Sequence, residues 1–120
     1  MARLPDACPD RDCPPEGARP CNGMVFRLAK AAPPEADDFL TAAEQGKHRR
    51  ADACLRCGLS VFVSRDAAEH LRDLYPKLGT FIARAHLDEG RGKLEQTNRP
   101  PHHTWWPNEE VPRHQGFEVK

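Results

Sequence analysis

The sequence predicts an α+β fold: a small, mostly antiparallel sheet with two helices packed on it, set between irregular, proline-rich ends. Three observations point there. Residues 24–29 and 59–64 read as short strands, helix start and stop signals follow each of them, and no internal repeat or heptad run suggests a solenoid or coiled coil. The twelve prolines crowd the ends, with five in the first 20 residues and four between Pro100 and Pro112. The expected organisation is an irregular Cys/Pro-rich arm over residues 1–22, one domain over 23–106, and a flexible tail over 107–120. A domain that short is marginal from burial alone, so a metal or a partner would help it.

Each element has a local reason. In residues 24–29, Met24, Phe26 and Leu28 alternate with Val25 and Arg27, the period-2 pattern of a strand. Pro34 then suits a first helical turn and Glu35, Asp37 and Asp38 favour its positive end. Phe39, Leu40 and Ala43 give an apolar stripe and Gly46 a stop, so a helix is expected over about residues 35–45. Residues 47–58 are polar and basic and read as a loop. LSVFVS, residues 59–64, is β-branched and aromatic without a breaker and apolar on both faces, as a central strand should be. Asp66 with Glu69 forms a capping-box pattern for a second helix. Ala67, Leu71, Leu74 and Leu78 form its apolar stripe, and Pro76 and Gly79 end it.

Residues 79–98 fit two templates. Phe81, Ala83, Ala85 and Leu87 alternate with Thr80, Ile82, Arg84 and His86, which suits a strand, and the turn DEGRG with residues 93–97 would complete a hairpin. Phe81, Ile82 and Ala85 also share a helical face. The two closely spaced glycines favour the hairpin.

Bulk chemistry narrows the function classes. Eighteen acidic and 18 basic side chains leave no net charge to draw in nucleic acid or an anionic membrane. No run of 18 apolar residues exists to span a bilayer. The first 17 residues lack an apolar signal region, so a cytoplasmic chain with reduced thiols is expected, and five cysteines, an odd number, argue against a closed disulfide framework.

The strongest chemical signal is Cys54-Leu-Arg-Cys57-Gly58. A C-x-x-C-G turn points two thiolates at one ion, which is half of a tetrahedral zinc site. Cys8, Cys13, Cys21, His48, His102 and His103 are candidates for the remaining ligands, with Cys21 and His48 preferred. The same two cysteines also fit plain reduced residues or a redox pair. Arg49, Arg50 and Arg56 surround the knuckle and form a candidate phosphate-contacting loop.

The segment HHTWW, residues 102–106, offers Trp105 and Trp106 as candidate binding residues. In an extended chain adjacent side chains point to opposite sides. One Trp should therefore close the core while the other faces solvent or a groove, and His102 and His103 cannot serve one ion. No nucleophile elbow, phosphate-binding loop or H-E-x-x-H is present. The leading expectation is a small macromolecule-binding domain, zinc-stabilised through the CxxCG knuckle, with a protein or nucleic-acid partner. The alternatives are a small enzyme using His86, Arg84, His102 and His103 on a phosphate-containing or nucleotide substrate, and a thiol redox protein using Cys54 and Cys57.

Overall fold

The computed structural model describes residues 13–97 and 102–119. Seven strands, β1 (Arg19–Pro20), β2 (Gly23–Ala29), β3 (Leu59–Phe62), β4 (Phe81–Leu87), β5 (Gly92–Gln96), β6 (His102–Pro107) and β7 (Glu118–Val119), form one sheet. Every pairing is antiparallel, in the order β1-β5-β6-β3-β2-β4-β7. Three helices accompany it: α1 (Ala42–Gln45), α2 (Ala53–Arg56) and α3 (Arg65–Leu74). The α+β class is thus as the alternation implied, with a larger sheet. β3 takes the central place that its two apolar faces required.

The connections force this sheet to curl. β1 and β2 are separated by Cys21 and Asn22 alone, yet they stand four places apart in the sheet. In a flat sheet that is about 19 Å, whereas three chain steps reach at most about 11 Å. The link from β4 to β5 makes the same jump through a 3₁₀ turn at Glu89–Arg91. Both links run as chords across the concave side, where the Cys21 amide donates to the Gly92 carbonyl at 3.0 Å.

The concave side holds the main core. Val25 and Ala29 of β2, Leu59 and Val61 of β3, Ala83, Ala85 and Leu87 of β4, and Trp105 of β6 gather there. Phe39 and Phe117 close the open mouth, their rings 4.8 Å apart. Of the tail expected over residues 107–120, Pro107 ends β6 and the segment after it supplies that Phe117 and also Arg113. The Arg113 guanidinium donates to the Phe39 carbonyl at 2.7 Å and pairs with Glu44 and Glu109, both at 2.6 Å. Burial alone would lower the Arg113 pKa, but these carboxylates outweigh it and raise it.

On the convex side, Phe62, Ala68 and Ile82 pack with Phe26, Leu28, Ala67 and Leu71, which seats α3 on the sheet. The expected stripe on this helix is only half used, because Leu74, its last residue, and Leu78, beyond Pro76, are both exposed. Its cap is Ser64, whose hydroxyl accepts from the Ala67 amide, so the Asp66–Glu69 box does not form.

Two further expectations are corrected. The helix of residues 35–45 is broken into a 3₁₀ turn, Ala36–Phe39, and α1, because Leu40 is extended and Thr41 starts afresh. The Thr41 hydroxyl and the Glu44 carboxylate cap each other's backbone amides, and Gly46 ends α1 in the left-handed region, as expected of that glycine. Residues 81–87 and 92–96 are both strands, but they do not pair. The chord between them carries β5 to the far side of the sheet, where β6 is its neighbour.

Candidate functional site

Around the knuckle, the loop expected at residues 47–58 contains one helical turn. The Asp52 carboxylate accepts from the Cys54 and Leu55 amides and starts α2. That turn presents Cys54 and Cys57 to the convex face of the sheet, where residues 13–18 cross over them. Cys13 and Cys54 are joined by a disulfide across a separation of 41 residues. The Cys57 thiol donates to the Cys54 carbonyl at 3.1 Å, and its Sγ lies 3.4 Å from the Cys13 Sγ. All three sulfurs fall within 4.8 Å of one another. A tetrahedral zinc site, with Zn–S near 2.3 Å, sets its sulfurs about 3.8 Å apart. The donor set therefore fits a metal once the disulfide is reduced.

Trp106 is the platform under this centre. It packs with Cys13, Cys57 and Ala18, and its indole N–H donates to the Cys54 carbonyl at 2.9 Å. Gly58 is needed for the approach, since a Cβ there would stand 2.3 Å from the Thr104 methyl carbon. The glycine of the C-x-x-C-G motif is thus required by the close approach of β6.

Of the preferred third and fourth ligands, neither joins the sulfurs. Cys21 lies in the β1–β2 chord within the concave core, where burial pushes its thiol up to about 12. His48 is exposed on the basic loop, with a positive φ of 52°. Cys13, weighed among the candidates but not preferred, is the residue that joins. Cys8 lies outside the described residues.

The tryptophans also depart from expectation. Both are 0 % exposed, so neither is available to a partner. Trp105 sits in the concave core with its N–H on the Arg91 carbonyl at 2.8 Å, and Trp106 lies under the cysteines. The alternation was right, but the cysteine centre covers the face that seemed open.

The histidines and arginines separate too. His102 and Phe62 share the convex face, ring centroids 5.4 Å apart, and His103 points to the other face as alternation required. Arg84 and His86 share the convex face but sit on β4, three strands from β6, or about 14 Å. Arg84 instead faces Glu118 of β7 at 3.7 Å. The proposed four-residue constellation is therefore not assembled. Arg49 and Arg50 are exposed, while Arg56 is half-buried and donates to the Lys47 carbonyl at 3.1 Å, tying the loop to α2.

Beside the centre lies a cleft of about 610 Å³ that sequence reading missed. It opens where β2 and β3 separate, for these neighbours share a single register pair, Phe26 with Phe62. The Arg27 guanidinium bridges the gap by donating to the Ser60 carbonyl at 2.6 Å and the Asp38 carbonyl at 3.1 Å. Burial lowers its pKa to about 10, which leaves it cationic at neutral pH. No family model matches the chain, and no curated protein or solved structure shows significant similarity to it. No helix among the described residues is long and apolar enough to cross a membrane.

Proposed function

We propose that the chain is a small macromolecule-binding domain stapled by zinc. In its reduced form Cys13, Cys54 and Cys57 hold the ion, and the basic loop bearing Arg49 and Arg50 meets acidic groups of a partner. The observation that supports this most is the convergence of three sulfurs within 4.8 Å from two distant chain segments. Zinc there would tie residues 13–18 to the knuckle and fix one end of the basic loop. Native mass spectrometry of the reduced protein, with and without chelator, tests the metal. One zinc per chain, lost in Cys57→Ser and accompanied by a lower melting temperature on chelation, is expected; a metal-free chain indifferent to chelator overturns it.

A second reading follows from the 3.4 Å between Cys57 and Cys13. The Cys57 thiolate would attack the Cys13 sulfur of the Cys13–Cys54 disulfide, form a Cys13–Cys57 bond and release the Cys54 thiolate. Peptide mapping of the oxidised protein distinguishes this reading: both pairings should be recovered if exchange occurs, and Cys13–Cys54 alone if it does not.

A further inference from the structure

We propose that the cleft at the β2–β3 seam is a binding site for a small phosphorylated molecule with an apolar ring, of the nucleoside monophosphate class. This goes beyond the metal-stapled domain and does not require the ion. The cleft's size falls within the roughly 300–1,000 Å³ of small-molecule sites. Among the described residues, Arg27, Lys30, Lys47, Arg56 and Lys77 line it against Asp37 and Asp38, five cations to two carboxylates. Asp38 is already engaged, its two oxygens accepting from the Lys30 and Glu35 amides. The whole chain carries no net charge, so this local excess marks one place on its surface.

The cationic groups differ in kind. Arg27 is held in place by two backbone carbonyls, and its Nη2 makes no hydrogen bond among the described residues. A guanidinium fixed in this way presents its remaining N–H groups to a phosphate without losing side-chain freedom on binding. The lysines at the rim add a field that strengthens at low salt.

The rest of the cleft suits the body of such a molecule. Leu28, Leu55, Leu59 and Phe62 form an apolar wall. A polar chain also lines the cleft. His102 Nδ1 lies 2.9 Å from the Thr97 hydroxyl and 3.1 Å from the Thr97 carbonyl. Its Nε2 lies 3.2 Å from the Ser60 hydroxyl, and the Thr97 and Thr104 hydroxyls meet at 2.8 Å. Ser60 and His102 are thus placed to exchange hydrogen bonds with ring or sugar polar atoms, while the phosphate meets Arg27.

Isothermal calorimetry with adenosine monophosphate, adenosine and inorganic phosphate, each on the full chain at low and moderate salt, tests this. Saturable one-to-one binding of the nucleotide is expected, with each fragment at least about tenfold weaker because each forgoes half of the contacts. Lys30→Glu combined with Lys77→Glu alters exposed rim charges and should weaken nucleotide binding about tenfold or more while the melting temperature holds. Arg27→Lys should weaken binding with its fold checked by circular dichroism, since a lysine cannot replace a bidentate donor. Absence of saturable binding, or affinity unchanged in the rim variant, overturns the proposal. So does binding of a single-stranded oligonucleotide with none of the mononucleotide, which would assign the cations to a polymer backbone. Repeating the titration after chelation separates this site from the zinc centre: nucleotide affinity is expected to persist, and its complete loss in a chain that remains folded would overturn the independence claimed here.

Discussion

The two faces of the sheet are closed by different means, although each has a buried tryptophan at its centre. On the concave side Trp105 is surrounded by aliphatic and aromatic side chains contributed by five strands, the β1–β2 chord, the 3₁₀ turn of Phe39 and the segment bearing Phe117. Burial alone is sufficient there. On the convex side α3 covers β2, β3 and β4 through its own apolar cluster, but over Trp106 the described residues place Cys13, Cys57 and Ala18, with Cys54 beside them, on a short arm with few apolar residues. The Cys13–Cys54 link ties that arm down. A small domain can therefore finish one face with a core and part of the other with a staple.

The largest expected effect falls on the concave side. Trp105→Ala should destabilise by about 3–5 kcal/mol, the range for deleting a large core aromatic, and should shift the denaturant midpoint with little change in slope. A loss under about 1 kcal/mol would mean that the other side chains of this core suffice without Trp105.

Next comes the staple. Cys13→Ser opens a link spanning 41 residues, and chain entropy sets its worth at about 4 kcal/mol under oxidising conditions. The contrast sharpens when the unfolding of wild type is compared with and without reductant. In metal-free buffer, reductant should weaken the wild type and leave Cys13→Ser unmoved.

The smallest effect separates burial from charge. Burial by itself would raise the Glu44 pKa, but the Arg113 guanidinium and the Thr41 cap hold it below its ordinary 4.5. Its contribution is therefore present above about pH 4.5 and is lost as pH falls through the lower folded value. Thermal melts of Glu44→Gln against wild type should differ at pH 7 and converge in acid; a constant offset across that range would remove the ion pair as the cause.

Much of the sheet was legible because alternation is a local signal. The facings of Ile82 against Ala83 and of His102 against His103 follow from period 2 alone. Strand partners were less so. The closely spaced Gly90 and Gly92 suggested a hairpin, but the turn they flank serves a jump across a curled sheet, and curvature leaves no mark within a five-residue window. The break at Leu40 did have a signal, the T-x-x-E of residues 41–44, which competed with a continuous apolar stripe and prevailed through two capping bonds. At the site, Cys54 and Cys57 announce themselves by spacing, whereas Cys13 is brought in by an arm whose path depends on β1 pairing with β5. The cleft was invisible for a further reason. It exists because Arg27 takes over the bridging of β2 and β3, and a lone arginine in a strand pattern looks like an ordinary solvated residue.

The strand order also sets the tempo of folding. Only β5 and β6 are close neighbours along the chain, pairing residues as near as Gln96 and His103. The ladder of β2 with β4 joins Gly23 to Leu87, and that of β3 with β6 joins Leu59 to Trp105. Such distant partners must pay loop-closure entropy before any contact repays it, so folding belongs in the millisecond-to-second range of non-local β proteins. On the ribosome, β3 would remain without its β6 partner until residues 102–107 had left the exit tunnel, and the apolar run of residues 59–63 would meanwhile be the segment in greatest need of a chaperone.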